Sequence, residues 1–132
     1  GDIARSVGME SQDIPEETLK KMPTLYSEGY VYYGKMHRHP NSTFMYTLRS
    51  NLDLFTFDAA ANMDLINQPL LMIAGSDADT LYMTKDAFAK ATGTTNKELY
   101  LVNGATHIQT YWVPKYVKEI SAKLVSFFNK NL

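Results

Sequence analysis

The hydrophobic pattern of this chain changes character once, near residue 68. Before that point apolar residues recur at helical spacing. Asp13 stands ahead of Pro15, Glu16 and Glu17, a capping residue and an acidic first turn. This predicts a short helix over residues 15–22, stopped by Pro23. Leu25, Tyr26, Tyr30, Tyr33 and Met36 share one helical face, predicting a helix over about residues 24–37. His39-Pro40-Asn41-Ser42 predicts a turn. Leu52, Phe55, Ala59, Met63 and Ile66 repeat at three and four residues. They predict helical segments over 44–66, broken at Ser50 and Asn51, with one buried face. Residues 1–12 read as irregular and polar.

After Gln68-Pro69 the pattern shortens. Leu70-Leu71-Met72-Ile73-Ala74 is a continuous apolar run ending at Gly75, as in a strand buried on both faces of a parallel sheet. Thr84 is the expected cap of a two-turn helix with Ala87, Phe88 and Ala91 inward and Gly93 as its terminator. A second strand is predicted over 98–102, ended by Asn103-Gly104. A last helix follows Pro114, with Val113, Tyr116, Val117, Ile120, Leu124, Phe127 and Phe128 at helical spacing. Two parallel strands joined by a helix form a βαβ unit. The fold class is therefore α/β. Residues 1–67 read as a mainly helical segment, cap-like or packed on the sheet, and residues 68–132 as a βαβα segment. Two strands alone would both be edges. The segment thus reads as the end of a larger sheet whose other strands lie upstream of Gly1.

Composition narrows the function classes. Hydrophobic residues make up 45% of the 132 and charged residues 20%, a balance that supports a packed core. A net charge of -1 leaves no basic excess for nucleic acid or an anionic membrane surface. The small basic cluster at Lys35 to Arg38 does not alter this. The absence of cysteine removes disulfides, thiolate metal sites and a cysteine nucleophile. No apolar run spans a bilayer and no signal-peptide pattern opens the chain, so the expected compartment is the cytoplasm.

In open α/β sheets, functional groups gather at the carboxyl ends of strands. Residues 75–82 carry Asp77 and Asp79. Residues 103–112 carry His107. A carboxylate accepting the Nδ1 proton of His107 would set its tautomer and stabilise the imidazolium formed during base catalysis. Loop aspartates are also common turn formers, and His37 and His39 read as solvated neighbours of Arg38. Tyr82, Tyr111 and Trp112 are the candidate substrate-binding side chains, with packing under the last helix an equal reading for Tyr111 and Trp112.

The segment from Gln68 through Gly75-Ser76-Asp77-Ala78-Asp79-Thr80-Leu81-Tyr82, followed by Asn103-Gly104-Ala105-Thr106-His107 and an amphipathic terminal helix, resembles the end of α/β-hydrolases. It looks closest to the dienelactone-hydrolase-like branch, which includes polyketide-transferase-like and peptidase-like members. The looser upstream match includes Tyr32-Tyr33, His39-Pro40 and Phe57-Asp58-Ala59. In that superfamily the triad order is Ser, acid, His. The resemblance implies that His107 is the base and that Asp79, or alternatively Asp77, is the acid. No Gly-x-Ser-x-Gly elbow occurs in these residues; Ser76 follows Gly75 but lacks the second glycine. The nucleophile is therefore expected on missing N-terminal sequence. The expected function is hydrolysis or transfer of an ester, thioester or amide acyl group, without metal or organic cofactor. The expected partners are a small acyl substrate and the N-terminal remainder of the fold. The rival expectation is a non-catalytic α/β module that binds a ligand or self-associates through its sheet edge.

Overall fold

The computed structural model describes residues 4–5, 13–42 and 45–132. Most of the expected irregular stretch over 1–12 lies outside these residues, as does Phe44. The chain forms two compact units, residues 1–58 and 59–132.

In the first unit, Pro15 precedes α1 (Glu16–Leu19), whose first turn holds Glu16 and Glu17. Asp13 does not cap it. The Pro15 carbonyl accepts the amides of Thr18 and Leu19, while Asp13 forms an exposed ion pair with Lys35 at 3.6 Å. Pro23 then opens α2 (Thr24–Val31), which continues as a π-helical turn over Tyr32–Met36. Tyr30 is buried, and its hydroxyl accepts the Ile14 amide at 3.3 Å. Arg5 and Thr47 make an isolated antiparallel bridge.

The expected break at Ser50 and Asn51 is absent. A 3-10 turn, Leu48–Ser50, runs directly into α3 (Asn51–Leu54). The helix then stops after about one turn, so no long face exists for the apolar repeat to occupy. Leu52 and Phe55 are accordingly 72% and 87% exposed.

The second unit begins with turns, including a 3-10 turn at Met63–Leu65, and then forms β1 (Leu70–Gly75), α4 (Leu81–Lys90) and β2 (Lys97–Val102). The strands pair in parallel, with Leu70 opposite Lys97 and Gly75 opposite Val102. A short α5 (Gln109–Trp112) and the long α6 (Pro114–Asn131) complete the chain. Helix α4 starts three residues before Thr84, so Thr84 is an interior residue. Thr80 occupies the cap position without a side-chain cap bond. Gly93 serves a different end from termination: a Cβ there would lie 2.3 Å from the Asp64 carbonyl oxygen and 2.6 Å from that of Ile66.

Successive side chains of a strand point to opposite faces. Ile73, Tyr100 and Val102 share one face and pack with Tyr116, Val113 and Ile120 at α6. Burial of Val102, which is completely enclosed, contributes roughly 1.5–3 kcal/mol. Polar pairs extend the same contact: the Tyr100 hydroxyl donates to Glu119 at 2.8 Å, and Lys123 bonds Glu98. Lys97 lies on the other face. Its ammonium donates to the Phe88 and Ala91 carbonyls at 2.9 and 2.7 Å, satisfying the C-terminal end of α4. The second unit is thus a parallel strand pair with a helix on each face. Phe128, expected on the inner stripe of α6, is half exposed.

Candidate active site

The carboxyl ends of β1 and β2 are sewn together by their own loops. Past β1, the Ser76 amide donates to the Val102 carbonyl at 2.9 Å and the Asp77 amide to the Ala105 carbonyl at 3.0 Å. In return, the Gly104 amide donates to Ser76 Oγ at 2.8 Å, and that hydroxyl donates to Asp77 Oδ1 at 2.7 Å. Ser76 therefore acts as a clasp, using its hydroxyl as acceptor and donor at once. This engagement suits a structural link between loops.

Two glycines permit the close fit. A Cβ on Gly75 would lie 2.1 Å from the Ala105 carbonyl oxygen and 2.9 Å from that of Thr106. Only a residue without a side chain lets the backbone of the second loop cross there. Gly104 has φ +70°, the left-handed turn that swings the chain away from β2. Its carbonyl accepts the hydroxyl of buried Tyr116 at 2.8 Å, tying the turn to α6.

His107 follows on a reinforced segment. The Thr106 amide donates to Gln109 Oε1 at 3.3 Å, and the Gln109 amide to Thr106 Oγ1 at 3.4 Å. This reciprocal pair has the Thr-x-x-Gln form of a capping box and spans the turn just ahead of α5, whose own cap position is Ile108. Thr110 Oγ1 donates to the His107 carbonyl at 2.6 Å, and Ile108 beside it is buried. The backbone of His107 is thus held on both sides, and its side chain is half-buried.

The ring of His107 meets Tyr111, one helical turn onward. Tyr111 Oη lies 2.5 Å from His107 Nε2, and the two rings meet edge-on with centroids 5.2 Å apart. Among the described residues the imidazole hydrogen-bonds to Tyr111 and to neither Asp77 nor Asp79. Asp77 and Asp79 are both exposed on the first loop, and Ala78 between them is buried. The loop-to-loop bonds place the segment carrying both carboxylates beside the segment carrying His107. Tyr82 sits in the first turn of α4 and Tyr111 and Trp112 on α5; their exposures are 58%, 43% and 38%. His37 and His39 belong to the first unit. His37 packs against Tyr32 at 4.6 Å between centroids, and His39 Nδ1 accepts the Asn41 amide.

Sequence reasoning put Asp77, Asp79 and His107 on these two loops but missed the clasp and the Tyr111 contact. Thr106-x-x-Gln109 was a legible capping signal, and His107 and Tyr111 have the i, i+4 spacing of helical neighbours. Nothing in the sequence marks Ser76 as a partner of Gly104, because that bond crosses between loops.

No helix among the described residues is long and apolar enough to cross a membrane. No protein-family profile matches the chain. A curated relative, the uncharacterized protein YcjY of Escherichia coli K12, is 30% identical over 126 residues. The match takes in 94% of this chain and 39% of that protein, so the chain spans well under half of the relative's length.

Proposed function

We propose that this chain is the acid–base portion of a serine-type α/β-hydrolase, with the nucleophile on sequence outside these 132 residues. The observation that carries the reading is the pair of mutually bonded loops at the carboxyl ends of adjacent parallel strands, one bearing Asp77 and Asp79 and the other His107. That is where open α/β sheets gather reactive groups. The absence of any Gly-x-Ser-x-Gly elbow within the sequence, and a relative more than twice as long, are consistent with it.

In this reading a serine Oγ attacks the acyl carbonyl as its proton passes to His107 Nε2. Asp79 accepts the hydrogen bond from Nδ1–H, which keeps its proton, and so stabilises the imidazolium. His107 then returns its proton to the leaving oxygen, sulfur or nitrogen as the acyl–enzyme forms. Water repeats the sequence to release the acid; another nucleophile in its place gives acyl transfer. Asp79 is preferred over Asp77 because Ala78-Asp79-Thr80 is the more regular element of this loop in the hydrolases the chain resembles, with Asp77 as the alternative acid. The substrate is a small acyl compound, bordered by Tyr82, Tyr111 and Trp112.

The test is covalent labelling with a fluorophosphonate, read by intact mass, on the full gene product and on the 132-residue chain. Labelling of the longer protein, lost in His107→Ala and absent from the chain alone, is the expected result. Serine-dependent esterase turnover by the chain alone, or labelling of the longer protein that is indifferent to His107, overturns the proposal.

A further inference from the structure

We infer that Tyr111 is a positioning residue for His107, presetting the imidazole as the Nδ1–H tautomer by donating its hydroxyl proton to Nε2. The inference deepens the hydrolase reading and takes its meaning for catalysis from it.

A neutral imidazole carries one proton, and the bond made at one nitrogen decides where that proton resides. Tyr111 Oη is 2.5 Å from Nε2, a short separation for an O–H···N contact. A phenol is the better proton donor of the two groups, so the hydroxyl donates and the ring nitrogen accepts. Nδ1 must then hold the ring proton. This is the form a base in a serine triad needs, with Nδ1–H directed to a carboxylate and a lone pair at Nε2 for the nucleophile's proton.

The surroundings make the contact a built feature of the segment. Tyr111 lies one turn after His107, and the Thr106–Gln109 pair and the Thr110–His107 bond fix the backbone between them. The T-shaped ring contact limits rotation of the imidazole as well. The tyrosine hydroxyl meets the same ring nitrogen that would take a nucleophile's proton. It therefore keeps the Nε2 lone pair occupied by a donor, and gives way when the serine is in place.

The test uses the complete 132-residue chain labelled with 15N at histidine. Long-range proton–nitrogen correlation spectra, recorded where the imidazole is neutral, read the tautomer of each ring directly. His107→Gln assigns the resonances, and His37 and His39 act as internal references. Wild type is expected to show Nδ1–H as the major form at His107. Tyr111→Phe, which keeps the ring contact, is expected to shift that ratio towards Nε2–H by at least about threefold, the effect of one ordinary hydrogen bond. A wild-type His107 that is mainly Nε2–H overturns the inference, as does an unchanged ratio in Tyr111→Phe. If Tyr111→Phe loses its fold by circular dichroism, the wild-type spectrum still decides. The readout needs no turnover. Failure of the labelling experiment leaves the tautomer result standing, and the wrong tautomer in an active hydrolase removes the role of Tyr111 alone.

Discussion

Replacing Gly75 by alanine tests whether the strand-end crossing organises the site. An added Cβ would lie 2.1 Å from the Ala105 carbonyl oxygen, 2.7 Å from its carbon and 2.9 Å from the Thr106 oxygen. All three atoms are backbone, so no side chain can rotate away. The second loop must retreat by about an ångström to restore ordinary contact. Retreat stretches the Asp77–Ala105 and Gly104–Ser76 bonds, now 3.0 and 2.8 Å long. Overpacking of this kind costs about 1–3 kcal/mol, and its backbone origin places it near the top of that range. Alanine recovers about 0.5–1 kcal/mol over glycine in a strand. The net destabilisation is about 2 kcal/mol, or a fall in Tm of about 8 °C for a chain of this size. Thermal unfolding followed by circular dichroism measures it. Amide resonances of Ala105, Thr106 and His107 should shift while those of the last turn of α6, at the other end of the strands, do not. A Tm within about 1 °C of wild type, with unmoved His107 resonances, would refute the reasoning.

Lys97→Met keeps the aliphatic stem but removes the ammonium that closes α4. The urea midpoint should fall by the equivalent of about 1–2 kcal/mol, and an unchanged midpoint would mean that water serves those carbonyls equally well. Tyr100 titrates above its ordinary value of 10.0, first because its hydroxyl donates to Glu119, then through burial and the charges of Glu119 and Glu98. Its folded form holds the proton more tightly than the unfolded chain does. That contribution is complete below pH 10.0 and is lost as pH rises above it. Stability should fall more steeply above that pH in wild type than in Tyr100→Phe, and parallel Tm–pH curves would contradict it.

Much of the second unit was legible because its local signals agree. Leu70 to Gly75 combines an apolar run with a glycine stop, and α6 combines Pro114 at its start with a repeating apolar stripe. The same signals put Asp77, Asp79 and His107 at the carboxyl ends of two strands. The first unit was less legible. The repeat from Leu52 to Ile66 has helical spacing, but spacing creates a face only where the helix is continuous, and α3 ends after about one turn.

By itself, then, the sequence determined which residues become strands, which loops carry Asp77, Asp79 and His107, and where glycine interrupts them. These are properties of neighbours along the chain, governed by periodicity, turn chemistry and capping. Tertiary structure alone decided that Gly75 lies against Ala105, that Ser76 clasps Gly104, and that Lys97 closes α4. It also decided that Asp77 is engaged by Ser76 while the His107 ring turns to Tyr111. The contacts of Gly75, of Ser76 with Gly104 and of Lys97 depend on strand register and on backbone groups left unsatisfied by local structure, which find partners only when distant segments meet.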